Sequence, residues 1–185
     1  ARAVDWYKRG SDAGETQSMT NLGTLYDNDG NGPVPPDPKE AFRLYKLASD
    51  NGDPIGTNSV GWMYERGAGV DKDLDMATRL YKEAAEKGVA DAMNNYGINL
   101  RDGIGTLANE QKGMEWIEKA ADAGSSLAMQ NMGLFYSKGM HVEANPRKAA
   151  DFYLNSLRYG GTQVYTLLVD ERGRDIPSAT RKEIL

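Results

Sequence analysis

Small and apolar residues along this chain return again and again at the spacing of one helix face. Ala92, Tyr96 and Leu100 stand at i, i+4 and i+8, and Leu74, Ala77, Tyr81 and the pair Ala84-Ala85 form a second stripe just before them. Between stripes lie Gly67-Ala68-Gly69-Val70 and Gly103-Ile104-Gly105, where glycine accepts the positive φ that ends a helix and turns the chain. The pattern predicts antiparallel helix pairs. First helices fall near 15–27, 53–65, 89–101 and 125–137, and second helices near 37–50, 73–86, 110–122 and 146–158. Residues 1–13 read as a second helix, so the chain opens in the middle of a pair and reads as a piece of something longer.

The pairs repeat. Gly23, Gly61, Gly97 and Gly133 lie 38, 36 and 36 residues apart, and each is followed three residues later by Tyr26, Tyr64, Leu100 or Tyr136. A second series, Gly14, Gly52, Gly88, Gly124 and Gly160, keeps the same phase. Ala41…Tyr45, Ala77…Tyr81 and Ala149…Tyr153 form a third, with Gly113…Ile117 in the same place of its unit. Asp37, Asp73, Asn109 and Asn145 stand where an N-cap for the second helix is wanted. A glycine inside a helix costs about 1 kcal/mol relative to alanine. Its recurrence predicts a close approach of two helix backbones. Counted from that glycine, positions −5, −1, 0 and +3 are expected in the core.

The pattern small-x3-[LVM]-G-x2-Tyr-x2-Gly-x-Gly, then Ala-x3-Tyr-x2-Ala-Ala-x3-Gly, resembles the Sel-1-like repeat, a relative of the tetratricopeptide repeat. The clearest copy runs from Val60-Gly61-Trp62-Met63-Tyr64 to Gly88. Ser18, Leu100 and His141 depart from the pattern, and the loop from Asp27 to Asp37 carries extra residues and several prolines. The resemblance implies an all-α, right-handed superhelical solenoid of antiparallel helix pairs. The array is expected over 1–160, as a partial repeat 1–14 and four units over 15–160. Residues 161–185 are expected to be a cap, a strand of another domain or the start of a following segment. The family implies non-enzymatic scaffold or adaptor work through a protein or peptide partner, with no cofactor, often in bacterial signalling, envelope or secretion contexts; the sequence leaves the compartment, bacterial cytoplasm or periplasm, open. Two other readings stay open. Some cysteine-rich relatives are linked to hydrolysis of cell-wall-like β-lactam compounds, and the array can also be a passive spacer or oligomerisation module beside a separate catalytic domain after residue 176, with self-association possible through open repeat ends.

Composition narrows the chemistry. With 22 Lys+Arg against 27 Asp+Glu the formal charge is −5, which argues against an electrostatic grip on nucleic acid or an anionic membrane. No apolar run approaches the roughly 20 residues that span a bilayer. The absence of cysteine removes thiolate metal sites and nucleophiles, and weakens the carry-over from cysteine-rich hydrolases. A single histidine, His141, leaves little for a histidine metal site or triad. Asp27-Asn28-Asp29-Gly30-Asn31-Gly32 matches the first half of a calcium loop, but its twelfth position is Pro38 instead of a bidentate glutamate. An ordinary Asp/Asn/Gly turn accounts for it better. The acidic run Asp71–Asp75 suits a helix N-terminus.

What remains is a surface. A stripe at −3, +1 and +4 from the first-helix glycine is continuous at helical spacing and should face the groove of the stack. It reads Thr20, Thr24, Asp27; Asn58, Trp62, Glu65; Asn94, Ile98, Arg101; and Gln130, Leu134, Ser137. Amides at −3 suit the backbone of an extended peptide, and Trp62, Ile98 and Leu134 offer anchor area. The alternatives are that these three pack on the next helix pair, and that Arg101 forms only a surface ion pair with Glu65.

Overall fold

The computed structural model describes residues 2–28, 30 and 32–160; the expectations for 161–185 lie outside the described residues. Every described element is an α-helix. In order they are α1 (Arg2–Asp12), α2 (Thr16–Tyr26), α3 (Pro38–Asp50), α4 (Pro54–Arg66), α5 (Leu74–Glu86), α6 (Ala90–Asp102), α7 (Glu110–Asp122), α8 (Ser126–Lys138) and α9 (Pro146–Arg158). The chain is an all-α solenoid of antiparallel helix pairs, with α2, α4, α6 and α8 as first helices and α1, α3, α5, α7 and α9 as second helices.

Local chemistry sets the ends. Asp37, Asp73, Asn109 and Asn145 each accept a hydrogen bond from the amide three residues on, at 2.8–3.0 Å, capping α3, α5, α7 and α9. Gly67, Gly103 and Gly139 close α4, α6 and α8 in the left-handed conformation.

The repeat glycine has two physical explanations. In three units it accommodates a tyrosine ring from the second helix: a Cβ on Gly61 would stand 2.9 Å from the Tyr81 ring, and Gly23 and Gly133 lie likewise under Tyr45 and Tyr153. The third unit shows the backbone approach expected from sequence at its tightest: a Cβ on Gly97 would lie 2.8 Å from the Gly113 carbonyl oxygen, against 3.2 Å from Gly61 to that of Ala77. There Ile117 replaces the tyrosine and Gly113 replaces the alanine, and a Cβ on Gly113 would sit 2.6 Å from both the Gly97 carbonyl oxygen and the Arg101 amide nitrogen. The core also includes positions absent from the sequence expectation. At +2, Met63, Asn99 and Phe135 are buried, and at −4 so are Met19, Thr57 and Met129, because each first helix is packed between two second helices. The +3 tyrosines are only half-buried.

Successive units lean on one another through the loops. Gly69 and Gly105 lie against the first residues of the preceding unit's second helix, directly beneath the carbonyls of Pro38 and Leu74. His141 takes that place in the fourth unit with φ +62, and its Nδ1 is 2.7 Å from Oε1 of Glu110, the first residue of α7. First helices of neighbouring units also pack directly, α2 on α4 and α6 on α8. Second helices have no comparable packing on one another, so the array curves with first helices on its inner side.

Candidate partner-binding face

The inner face is built from first helices held between second helices, and this crowding decides which side chains of the −3, +1, +4 stripe stay accessible. Trp62 is 43% exposed and joins no buried cluster. The Arg66 guanidinium lies 5.1 Å from its ring centroid and reaches back 3.3 Å to Asp27 of the first unit. At an exposed site such a cation–π contact is worth about 0.5–1 kcal/mol. Leu134 and Gln130 are half-buried on α8, while Thr24 and Ser137 are exposed.

The other stripe residues are engaged inside the stack. Asn94 is only 2% exposed: its Oδ1 accepts from Asn131 Nδ2 at 2.9 Å, and its Nδ2 points to Asn95 Oδ1 at 3.5 Å. Asn95 in turn donates to Asn58 Oδ1 at 3.2 Å. Four asparagines thus run along α8, α6 and α4; three are half-buried, and the row satisfies the buried Asn94 amide, which would cost about 1–3 kcal/mol if left unpaired. Thr20 makes the matching link in the first unit, donating at 2.7 Å to Asp53, the N-cap of α4. Ile98 packs against the cluster of Met114, Met132 and Phe135 between the third and fourth units, the packing alternative raised for it from sequence.

Glu65 and Arg101 do not pair with each other. Glu65 Oε2 accepts a hydrogen bond from the hydroxyl of Tyr81, a fully buried side chain. Burial first, and then that bond to Glu65, hold the Tyr81 hydroxyl protonated far above the usual tyrosine range. Arg101 forms a bidentate pair with Asp102 at 2.6 and 2.7 Å, lowering the Asp102 carboxyl, and lies 5.1 Å over the Phe135 ring. Tyr153 is pushed up by burial, and its hydroxyl has no hydrogen-bond partner among the described residues; the neighbouring Ser137 hydroxyl donates instead to the Leu134 carbonyl at 2.9 Å.

The structure therefore brings Trp62, Arg66 and Asp27 together on the inner face and commits Asn94, Glu65 and Arg101 to the stack. Sequence reasoning missed Asn95 and Asn131. The signal was present, since position −2 reads Asn21, Ser59, Asn95 and Asn131. In the first loop Asn28 is spent on shaping the turn, donating to the Leu25 and Val34 carbonyls and accepting from the Gly30 amide. Among the described residues no group of three or more His, Asp or Glu side chains is placed to hold a metal ion, and no helix is long and apolar enough to cross a membrane.

Solved structures share this architecture. A Sel1 repeat protein from Oxalobacter formigenes is 28% identical with a TM-score of 0.70, the match covering 98% of this chain and 81% of that one. A protective antigen of uropathogenic Escherichia coli, c5321, with an SLR fold, is 27% identical with a TM-score of 0.68 over 85% of this chain. The match takes in only 33% of the antigen's length. The immunity protein Pa5087 from Pseudomonas aeruginosa, 24% identical with a TM-score of 0.72, covers 98% of this chain and 70% of its own and shares the fold. No curated protein sequence matches. A family model described as the Sel1 repeat matches residues 1–15, 16–53, 55–89, 90–125 and 126–156, and with the nine helices of the described residues in the phase of those five matches the chain belongs to the Sel1 repeat family.

Proposed function

We propose that this array is a non-enzymatic scaffold whose inner face takes a protein or peptide partner, with Trp62 as its principal anchor. Repeats of this family generally mediate protein–protein contact. The observation that carries the reading is Trp62 itself. A tryptophan in the middle of the first-helix row, half-exposed and outside every core cluster, leaves a large apolar surface next to a guanidinium. Large amphipathic side chains of this kind dominate the energetics of protein interfaces. Leu134 and Gln130 extend the same face two units further along. The partner implied is one that inserts an apolar side chain against the Trp62 ring. No observation on this chain favours the hydrolase alternative.

Affinity capture with the purified chain and with Trp62→Ala, each checked by thermal melting, tests the proposal. The expected result is loss of the captured partner, at least tenfold, with a melting temperature unchanged within about 2 °C. A partner retained by both Trp62→Ala and Leu134→Ala removes the inner face from the binding role and leaves the spacer reading. Asn94 is unsuitable for this test, because truncating it opens the asparagine row.

A further inference from the structure

Three second helices lay a tyrosine ring on the repeat glycine of their unit: Tyr45 of α3 on Gly23, Tyr81 of α5 on Gly61 and Tyr153 of α9 on Gly133. All three rings are buried, so each hydroxyl needs an acceptor from the protein. The inner-face stripe supplies it. In the first unit the acceptor is the Thr24 hydroxyl at position +1, 3.2 Å away. In the second it is the Glu65 carboxylate at position +4. The third unit carries Ile117 in place of the tyrosine and needs none.

The fourth unit breaks the series. Position +1 is Leu134, whose side chain has no oxygen, and position +4 is Ser137, whose hydroxyl is turned to the Leu134 carbonyl. Among the described residues Tyr153 Oη is the one buried side-chain polar atom without a hydrogen-bond partner. Burial raises this hydroxyl, which keeps it a donor. The helix beside it suits an anion. From Ser126 to Lys138, α8 carries no Asp or Glu. Lys138 holds the register that Arg66 holds in the second unit, is exposed and forms no ion pair among the described residues. Ser137 is exposed as well, and Leu134 is half-buried.

We propose that the Leu134–Ser137–Lys138 end of α8 is a subsite for an aspartate or glutamate side chain of the partner, whose carboxylate accepts the Tyr153 hydroxyl hydrogen as Glu65 accepts that of Tyr81, with Lys138 as its counter-charge. Ser137 rotates aside to admit it. A backbone carbonyl is the poorer occupant, since it leaves Lys138 unmatched. The subsite rests on the inner face being the partner's face, and gives that partner an acidic residue two units along from the group on Trp62.

Two measurements test it. The first needs no partner: Ser137→Glu places a carboxylate at +4 of the chain itself. Its effect on the melting temperature is expected to be about 2–4 °C more favourable with Tyr153 present than in a Tyr153→Phe background, which is what one satisfied hydrogen bond gives a chain of this size. Equal effects in the two backgrounds overturn the proposal. For the second, random linear peptides displayed on phage are selected on the wild-type chain, and the tightest is measured against variants. It is expected to contain an acidic residue. Changing that residue to its amide, or Tyr153→Phe in the protein, should each lower affinity about tenfold or more. Tyr153→Phe should itself melt within about 2 °C of wild type, because the lost hydroxyl had no partner. A peptide that needs Trp62 but is indifferent to Tyr153→Phe and Lys138→Gln overturns the subsite and leaves the inner face standing. One indifferent to Trp62→Ala and Leu134→Ala as well removes the inner face itself.

Discussion

At the scale of single residues, two groups show how tightly the pairs are fitted. Replacing Gly113 by alanine should gain about 1 kcal/mol of helix propensity. The new Cβ, however, would meet backbone atoms of α6 at 2.6 Å, and backbone cannot rotate away as a side-chain end can. Overpacking of this kind costs about 1–3 kcal/mol. Steric cost wins, and Gly113→Ala is expected to lower stability by about 1–2 kcal/mol in denaturant melts. Tyr81 gives a pH signature. Its folded-state pKa is raised above the ordinary tyrosine value of 10.0, so the unfolded chain releases this proton first. Its contribution is fully present below pH 10 and is lost as the pH climbs beyond it. Wild type should therefore lose stability between pH 9 and 11 more steeply than Tyr81→Phe. Equal slopes would mean that the hydroxyl is not shielded. Sequence could not assign Glu65 to this tyrosine. Position +4 sits on a continuous stripe, and only the crossing of α4 and α5 decides whether it meets a partner or the Tyr81 hydroxyl.

The helices themselves were legible almost to the residue, because their signals are local. Asp73 caps α5 without help from any other unit, and Gly67 ends α4 by its own backbone freedom. Asp73→Ala should thus cost about 1 kcal/mol, the usual value for losing a cap. In thermal melts this is a small, clean drop, and Asp73→Asn should restore it. A variant that loses nothing would show that α5 is held by packing alone. Less legible was the reason for the repeat glycine. The 36-residue period marks a close approach at Gly61 and Gly97 alike, yet a ring edge causes it in one and a carbonyl in the other. Only the paired change to Gly113 and Ile117 in the third unit carried that distinction.

Across the whole molecule the units are joined in series, each touching its neighbours only. Stability in such an array is a sum of unit and interface terms, and its ends open first. Amides of α6 and α7 are expected to exchange more slowly than those of α1 and α9. Asn94→Ala should raise exchange on both sides of the third unit, because it removes the acceptor of Asn131 and the donor to Asn95. A loss of about 1–3 kcal/mol fits the desolvated amides left behind. An effect confined to α6 would show that the asparagine row does not couple the units.

The asparagine row also has a direction. Asn131 donates to Asn94 and Asn95 donates to Asn58, each toward the preceding unit, and Asn94 joins the two steps within α6 by pointing its Nδ2 at Asn95. Among the described residues the row leaves the NH2 of Asn58 and the carbonyl oxygen of Asn131 without a side-chain partner. The polar seam between first helices is therefore vectorial, and its two ends present opposite hydrogen-bonding needs to whatever packs beside them.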